Sequence, residues 1–141
     1  MADVTELIET DHREVEALFE QFKNDNSKQT AMKICDELDA HADAEEKVFY
    51  PAVRSDVPDG DKLASEAVDE HSEARQLIGR IKNTTDDSHL ADLVSELEQA
   101  IAHHVDEEES EMLPKARRTL GDDRLEALGS EFEQAKANAH A

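Results

Sequence analysis

A chain of 141 residues has the length of one folded domain, and its 36 acidic against 15 basic side chains give a net charge of −21. That charge repels nucleic-acid phosphates and anionic lipid headgroups, so the sequence predicts no nucleic acid and no membrane among its partners. Cys35 is the only cysteine, which excludes an intramolecular disulfide, and without a basic leader or an apolar run of membrane-spanning length we expect a cytoplasmic protein.

Apolar residues recur with helical spacing in four long segments separated by short polar or turn-forming stretches. These segments span about residues 3–23, 28–50, 61–82 and 88–113. After Gly121 a shorter amphipathic segment carries Leu125, Leu128 and Phe132 at spacings of three and four. Because short connections favour antiparallel neighbours, we predict an all-α, up-down-up-down four-helix bundle. A short C-terminal fifth helix should lie across it, within a single domain over residues 1–141.

The second half of the chain repeats the first. The stretch HADAEEKVFYP, which begins at His41, aligns without a gap on HVDEEESEMLP, which begins at His104, and His, Glu, Glu and Pro match at the same offsets. A weaker matched pair lies upstream, DHREVEALF from Asp11 and EHSEARQLI from Glu70. The repeating unit is therefore a pair of helices that is used twice.

One histidine of each long segment faces the core when the helix turns by about 100° per residue. Glu45 and Glu108 each follow such a histidine by four residues, so they lie one turn further along the same face. Buried carboxylates need a partner to offset their lost hydration, and a metal ion explains six such residues better than a polar network does. Imidazole and carboxylate donors without thiolate suit iron, manganese or zinc. The four histidines are His12, His41, His71 and His104.

The two His-x-x-x-Glu stretches ending in Tyr-Pro or Leu-Pro, with Asp11-His12 and Glu70-His71 before them, resemble the hemerythrin-like HHE cation-binding domain. The resemblance covers about residues 4–116 and implies a four-helix bundle around two iron ions in an oxo- or hydroxo-bridged centre. It implies that Glu45 and Glu108 are the bridging carboxylates. It also implies four terminal ligands, His12, His41, His71 and His104.

The chain departs from the oxygen-carrying hemerythrins, whose pattern has five histidines, two of them four residues apart on the third helix. Here Ala67 and Arg75 stand four residues to either side of His71, and neither can replace a neutral imidazole. The six ligands and a bridging oxygen would then leave two coordination positions open. Two open positions suit peroxide chemistry better than reversible end-on oxygen binding.

Two further residues near the ligands have alternative interpretations. Glu16 lies one turn from His12, where a salt bridge to Arg75, its equivalent in the repeat, is favoured over a role as a seventh ligand. His103 points about 100° away from its neighbour His104, which predicts a surface position.

Three more residues are predicted to lie outside the ligand set. Glu46 and Glu109 turn partly away from the centre on the helical wheel, so we expect them in solvent or on the outer side of the ligands. Tyr50 faces away on a straight helix and would approach the centre only if Pro51 kinks that helix.

The resemblance and the open positions together predict that the iron pair reacts with hydrogen peroxide or nitric oxide, with a weak activity of catalase or peroxidase type, in defence against oxidative or nitrosative stress. An apolar pocket of Ile8, Phe19, Leu97 and Met112 is expected to limit access by water. Reversible oxygen binding or storage, and sensing of iron or oxygen, are the alternatives. The expected partners are small diatomic or peroxide molecules, and the chain is expected to be a monomer or a weak homodimer.

Overall fold

The computed structural model describes residues 2–140, and these residues form helices and no strand. None of these helices is both long enough and apolar enough to cross a membrane. The first helix begins after Asp3, whose carboxylate accepts hydrogen bonds from the backbone N–H groups of Thr5 and Glu6 and so caps it. The helices are α1 Val4–Asp25, α2 Lys28–Ala44, α3 Tyr50–Asp56, α4 Gly60–Asn83, α5 Asp87–Glu107, α6 Leu113–Leu120 and α7 Asp122–His140.

Two of the bundle helices run through a π-helical turn. Glu45–Phe49 joins α2 to α3, and Glu108–Met112 joins α5 to α6. In both turns the hydrogen-bond ladder widens by one residue, so the N–H of the next residue reaches back to the carbonyl of the first glutamate. A proline follows each turn, and its missing N–H interrupts the ladder there without ending the helix. Both helices therefore continue beyond their predicted ends, to Asp56 and Leu120.

The bundle consists of α1, α2 with α3, α4, and α5 with α6, while α7 packs across α1 and α2. Its connections are tight: Asn26 after α1 and Asp59 before α4 take left-handed backbone angles, with φ of 49° and 60°. Gly60 lies so close to the preceding helix that an added Cβ would stand 1.8 Å from the carbonyl oxygen of Val53. The predicted all-α bundle with an added C-terminal helix is confirmed, although α7 has 19 residues and is not short.

Two apolar clusters lie on either side of a polar layer. The first cluster contains Ile8 of α1 and Phe132 of α7, and the second contains Phe19 of α1 and Cys35 of α2. Burial raises the pKa of the Cys35 thiol to about 11, which keeps it protonated and unreactive. His12 lies between the two clusters along α1, so the polar layer that contains it is enclosed in the middle of the bundle.

Candidate metal centre

The six residues predicted from the sequence meet in this layer. Each is at most 6% exposed, and Glu45 is fully buried. Glu45 and Glu108 begin the two π-helical turns, and each of the four long helical segments contributes one imidazole. The histidines are His12 on α1, His41 on α2, His71 on α4 and His104 on α5.

Both buried carboxylates lie between imidazoles from the two halves of the repeat. Oε1 of Glu45 is 3.0 Å from Nε2 of His41 and 3.2 Å from Nε2 of His71. Oε1 of Glu108 is 3.1 Å from Nε2 of His12. Its Oε2 is 3.6 Å from Nε2 of the histidine four residues earlier on its own helix. The carboxylates therefore connect the halves in the way that a pair of bridging ligands would.

A second carboxylate holds each imidazole from outside, 2.7 Å from its Nδ1. By donating its Nδ1 hydrogen, each ring is fixed in orientation and turns Nε2 toward the inner carboxylates. The pairs are His12 with Glu109, His41 with Asp11, His71 with Glu46, and His104 with Glu70.

The sequence predicted two of these four outer carboxylates. Glu46 and Glu109 do lie on the outer side of the histidines, one of the two positions expected for them. The sequence predicts no contact for Asp11 or Glu70, although the repeat matches an acidic residue before the first histidine of each half. Each of them bonds a histidine on the following helix, and spacing along a single helix cannot reveal that pairing.

Several inner atoms of the layer have no hydrogen-bond partner. Among residues 2–139 there are five such buried side-chain atoms. When Nδ1 of a ring carries the hydrogen, Nε2 and a carboxylate oxygen that faces it are both acceptors and have no hydrogen to share. Such atoms are costly to bury, and nitrogen and carboxylate oxygen atoms facing one space fit a cation. They are Nε2 of His12, His41 and His104, Oε2 of Glu45 and Oε1 of Glu108.

When no cation is present, protons balance the charge of this layer. Burial by itself would lower the pKa of His41, but the charge of Glu45 and the hydrogen bond to Asp11 raise it to about 10. Burial would likewise lower the pKa of His104, but the charge of Glu108 and the hydrogen bond to Glu70 raise it to about 9. A cation that binds here must displace these protons, so its affinity falls as the pH is lowered.

Tyr50 also reaches the layer. It is 1% exposed, and its hydroxyl lies 2.7 Å from Oε2 of Glu108, 3.1 Å from Oε1 of Glu45 and 3.2 Å from Nε2 of His71. Burial, reinforced by the two carboxylates, raises its phenol pKa well above the usual value, so the hydroxyl keeps its proton and donates it in a hydrogen bond.

Tyr50 was expected to face away on a straight helix, and that expectation does not apply because its helix is not regular. The π-helical turn Glu45–Phe49 takes up one extra residue, and this rotates Tyr50 back toward the face that carries Glu45. The repeat places Leu113 at the equivalent position, so the phenol is an inner group that the second half lacks.

The family model of the hemerythrin HHE cation-binding domain matches residues 3–116. The chain belongs to this family. An HHE domain is a helical, cation-binding protein, in agreement with the resemblance noted from the motifs.

A second comparison concerns one relative of this HHE domain. A protein of Nostoc sp. (strain PCC 7120 / SAG 25.82 / UTEX 2576) named DNA nickase is 34% identical over 123 residues. The match covers 84% of this chain but 34% of the relative, so the chain spans about a third of that protein's length. No solved structure matches the chain.

Glu16 of the HHE domain lies apart from the buried layer. Its side chain is 53% exposed and pairs with Arg13 at 3.2 Å, whereas Arg75 pairs with Glu46 at 2.8 Å. The predicted salt bridge between Glu16 and Arg75 was therefore wrong, because Glu16 pairs within its own helix and Arg75 pairs with the π-helical turn that follows α2. His103, at 68% exposure, lies on the surface as predicted.

A cavity of about 30 Å³ adjoins the imidazoles of the HHE domain. None of Ile8, Phe19, Leu97 and Met112 lines it, although all four are buried, so the predicted pocket was wrong in its residues. Helical periodicity identifies side chains that face the core. It does not identify the level along the bundle axis at which the packed helices leave a cavity. The apolar lining consists of Val15, Leu38, Ala42, Ala74, Ile78, Ile101 and Val105.

Proposed function

We propose that the buried layer holds two iron ions, with Glu45 and Glu108 as bridging ligands and the four histidines as terminal ligands. The support is the set of five buried donor atoms without hydrogen bonds among the described residues. Four imidazoles and two carboxylates without thiolate suit iron, and each carboxylate faces both halves of the repeat. Two bound irons would supply Lewis acidity and a store of electrons.

The substrate that we propose is hydrogen peroxide or nitric oxide, in a reaction that serves defence against oxidative or nitrosative stress. The cavity beside the imidazoles is about 30 Å³, roughly the space of one water molecule, so it admits only molecules of a few atoms. Its apolar walls, such as Ile78 and Val105, disfavour ions and larger polar molecules.

Tyr50 serves this reaction as a hydrogen-bond donor inside the layer. Its hydroxyl lies 2.7 Å from Oε2 of Glu108, so it holds one oxygen of that carboxylate while the other oxygen faces His12. The phenol also keeps a proton inside this buried polar layer, where water has little access.

Reversible oxygen binding or storage is the alternative function of the same centre. An oxygen carrier of this family has a fifth histidine on its third helix, and the corresponding neighbours of His71 are Ala67 and Arg75. The guanidinium of Arg75 is engaged by Glu46, so neither position offers a ligand. This favours a reactive centre over a carrier or an oxygen sensor.

Action on DNA is not part of the proposal, although one relative is named DNA nickase. The match covers only 34% of that protein, and a net charge of −21 opposes contact between this chain and phosphate groups. We propose that the partners of this chain are small molecules, and that it works in the cytoplasm as a monomer or weak homodimer.

Metal analysis with stopped-flow spectroscopy tests the function. We expect about two irons per chain after expression with ample iron, and catalytic consumption of peroxide. A content of one ion or none would contradict the di-iron proposal. A long-lived oxygenated form that disappears when oxygen is removed would instead establish the carrier function. Ala67→His, which places an imidazole one turn before His71, should slow peroxide turnover if open positions determine reactivity.

A further inference from the structure

A narrow crevice between α4 and α5 leads from the surface to the buried layer. Its volume is about 20 Å³, and it is separate from the apolar cavity. His104 and Glu108 form its inner end, where Nε2 of His104 and Oε1 of Glu108 lack hydrogen bonds among the described residues. Its outer walls carry four carboxylates, Glu66, Glu70, Glu107 and Glu111.

A histidine and two carboxylates stand beside the crevice at the surface. Nε2 of His103 lies 3.5 Å from Oε2 of Glu70 and 2.5 Å from Oε1 of Glu107. Ligand-type atoms of all three residues lie within 4.8 Å of one another, which is a spacing that one metal ion can span. Glu70 belongs to both sites, because its other oxygen accepts the Nδ1 hydrogen of His104.

In the first half of the repeat, the equivalent surface is buried and its described residues include no such group of side chains. There Ala40 and Ala44 take the places of His103 and Glu107, and both alanines are buried. Lys136 of α7 lies 2.7 Å from Asp11, the counterpart of Glu70, and neutralises it. In the second half, no lysine or arginine between residues 2 and 139 forms an ion pair with Glu70 or Glu107.

We infer that His103, Glu70 and Glu107 form a transient docking site for divalent cations, from which an ion passes along the carboxylates of the crevice to the buried layer. The inference rests on the proposed metal centre. Two openings of opposite chemistry then serve one site, because the crevice attracts cations and the apolar cavity admits small neutral molecules. Local negative charge in a cleft raises the rate of cation capture without changing the final affinity of the buried layer.

The test is the rate at which Co²⁺ loads the full chain after chelator treatment, followed by visible absorption in a stopped-flow instrument. The variant His103→Asn with Glu107→Gln removes two docking groups but none of the proposed ligands. Its matched control, His89→Asn with Glu126→Gln, makes the same chemical changes at two other exposed positions. We expect the docking variant to load about tenfold more slowly than the wild type, with an unchanged final Co²⁺ content. The control should load like the wild type.

Removal of Co²⁺ from the loaded chain by an excess of chelator follows the same route in reverse. In the docking variant this removal should be slowed by the same factor as loading. The rate of removal does not depend on the stability of the metal-free chain. Equal rates in the docking variant, the control and the wild type would overturn the inference, because His103 would then be a surface ion-pair partner alone. Failure of the wild type itself to take up Co²⁺ would instead contradict the proposed metal centre.

Discussion

On its outer side, the first half of the repeat is covered by α7, whereas the second half meets solvent at the equivalent surface. Inside, the halves are alike, since each supplies two imidazoles, one inner carboxylate and two outer carboxylates. Outside, Lys136 and Phe132 pack against the Asp11–His41 pair, and the Glu70–His104 pair lies beside the exposed His103. The repeat thus preserves the donor atoms, and its surroundings differ in what can reach them.

The largest effect should come from the groups that the halves share. Glu45→Ala and Glu108→Ala should each lose most of the bound metal, because each removes a carboxylate that faces both halves. Glu46→Ala and Glu109→Ala remove outer partners of His71 and His12, so they should weaken affinity by about 10- to 100-fold and still retain metal at saturation. Metal content per chain after dialysis separates the two classes. Equal loss in all four variants would show that inner and outer carboxylates had been assigned wrongly.

The next effect should come from Tyr50, which breaks the symmetry of the inner layer. Tyr50→Phe removes the hydroxyl that lies 2.7 Å from Glu108 and leaves the ring in place. We expect the metal content to stay the same and peroxide consumption to fall by about 100-fold, since the variant lacks the hydroxyl that donates a hydrogen bond inside the layer. Leu113→Met, at the equivalent position of the second half, is the control and should keep both properties. A peroxide rate unchanged in Tyr50→Phe would limit the tyrosine to packing.

A moderate effect on stability is expected where α7 covers the first half. Lys136→Met removes the ammonium group that pairs with Asp11 and Glu37 in a largely buried position, which should cost about 1 to 3 kcal/mol of unfolding free energy. Arg124→Met on the same helix breaks a more exposed pair with Asp56 and should cost below about 1 kcal/mol. Urea unfolding of both variants measures the difference. If the two costs were equal, Lys136 would be no more than a surface charge.

The smallest effect should arise from residues that the repeat aligns but the fold separates. A double-mutant cycle with Glu16→Gln and Arg75→Met should show a coupling energy within about 0.3 kcal/mol of zero, because the two side chains have different partners. The cycle of Arg75→Met with Glu46→Gln should show coupling of roughly 0.5 kcal/mol, as the pair is partly exposed. Urea denaturation provides all the unfolding free energies. Measurable coupling between Glu16 and Arg75 would restore the salt bridge predicted from the sequence.

Local spacing in the amino-acid sequence was enough to predict the long helices, the repeat and the six inner residues. Apolar spacing defines the buried face of a helix, and His41 with Glu45, or His104 with Glu108, occupies that face because four residues make about one turn. The family resemblance rested on the same local spacings, and the match over residues 3–116 agrees with it. These features need no knowledge of which helices become neighbours.

The surroundings of those six residues follow from the way in which the helices pack against one another. Tyr50 enters the layer through a π-helical turn, a local change in the ladder that a fixed rotation per residue cannot anticipate. Asp11 bonds His41 across two helices, and Lys136 reaches Asp11 from a helix beyond the repeat, 125 residues along the chain. Such contacts depend on the height and rotation at which helices pack against one another, and packing is a property of the whole bundle.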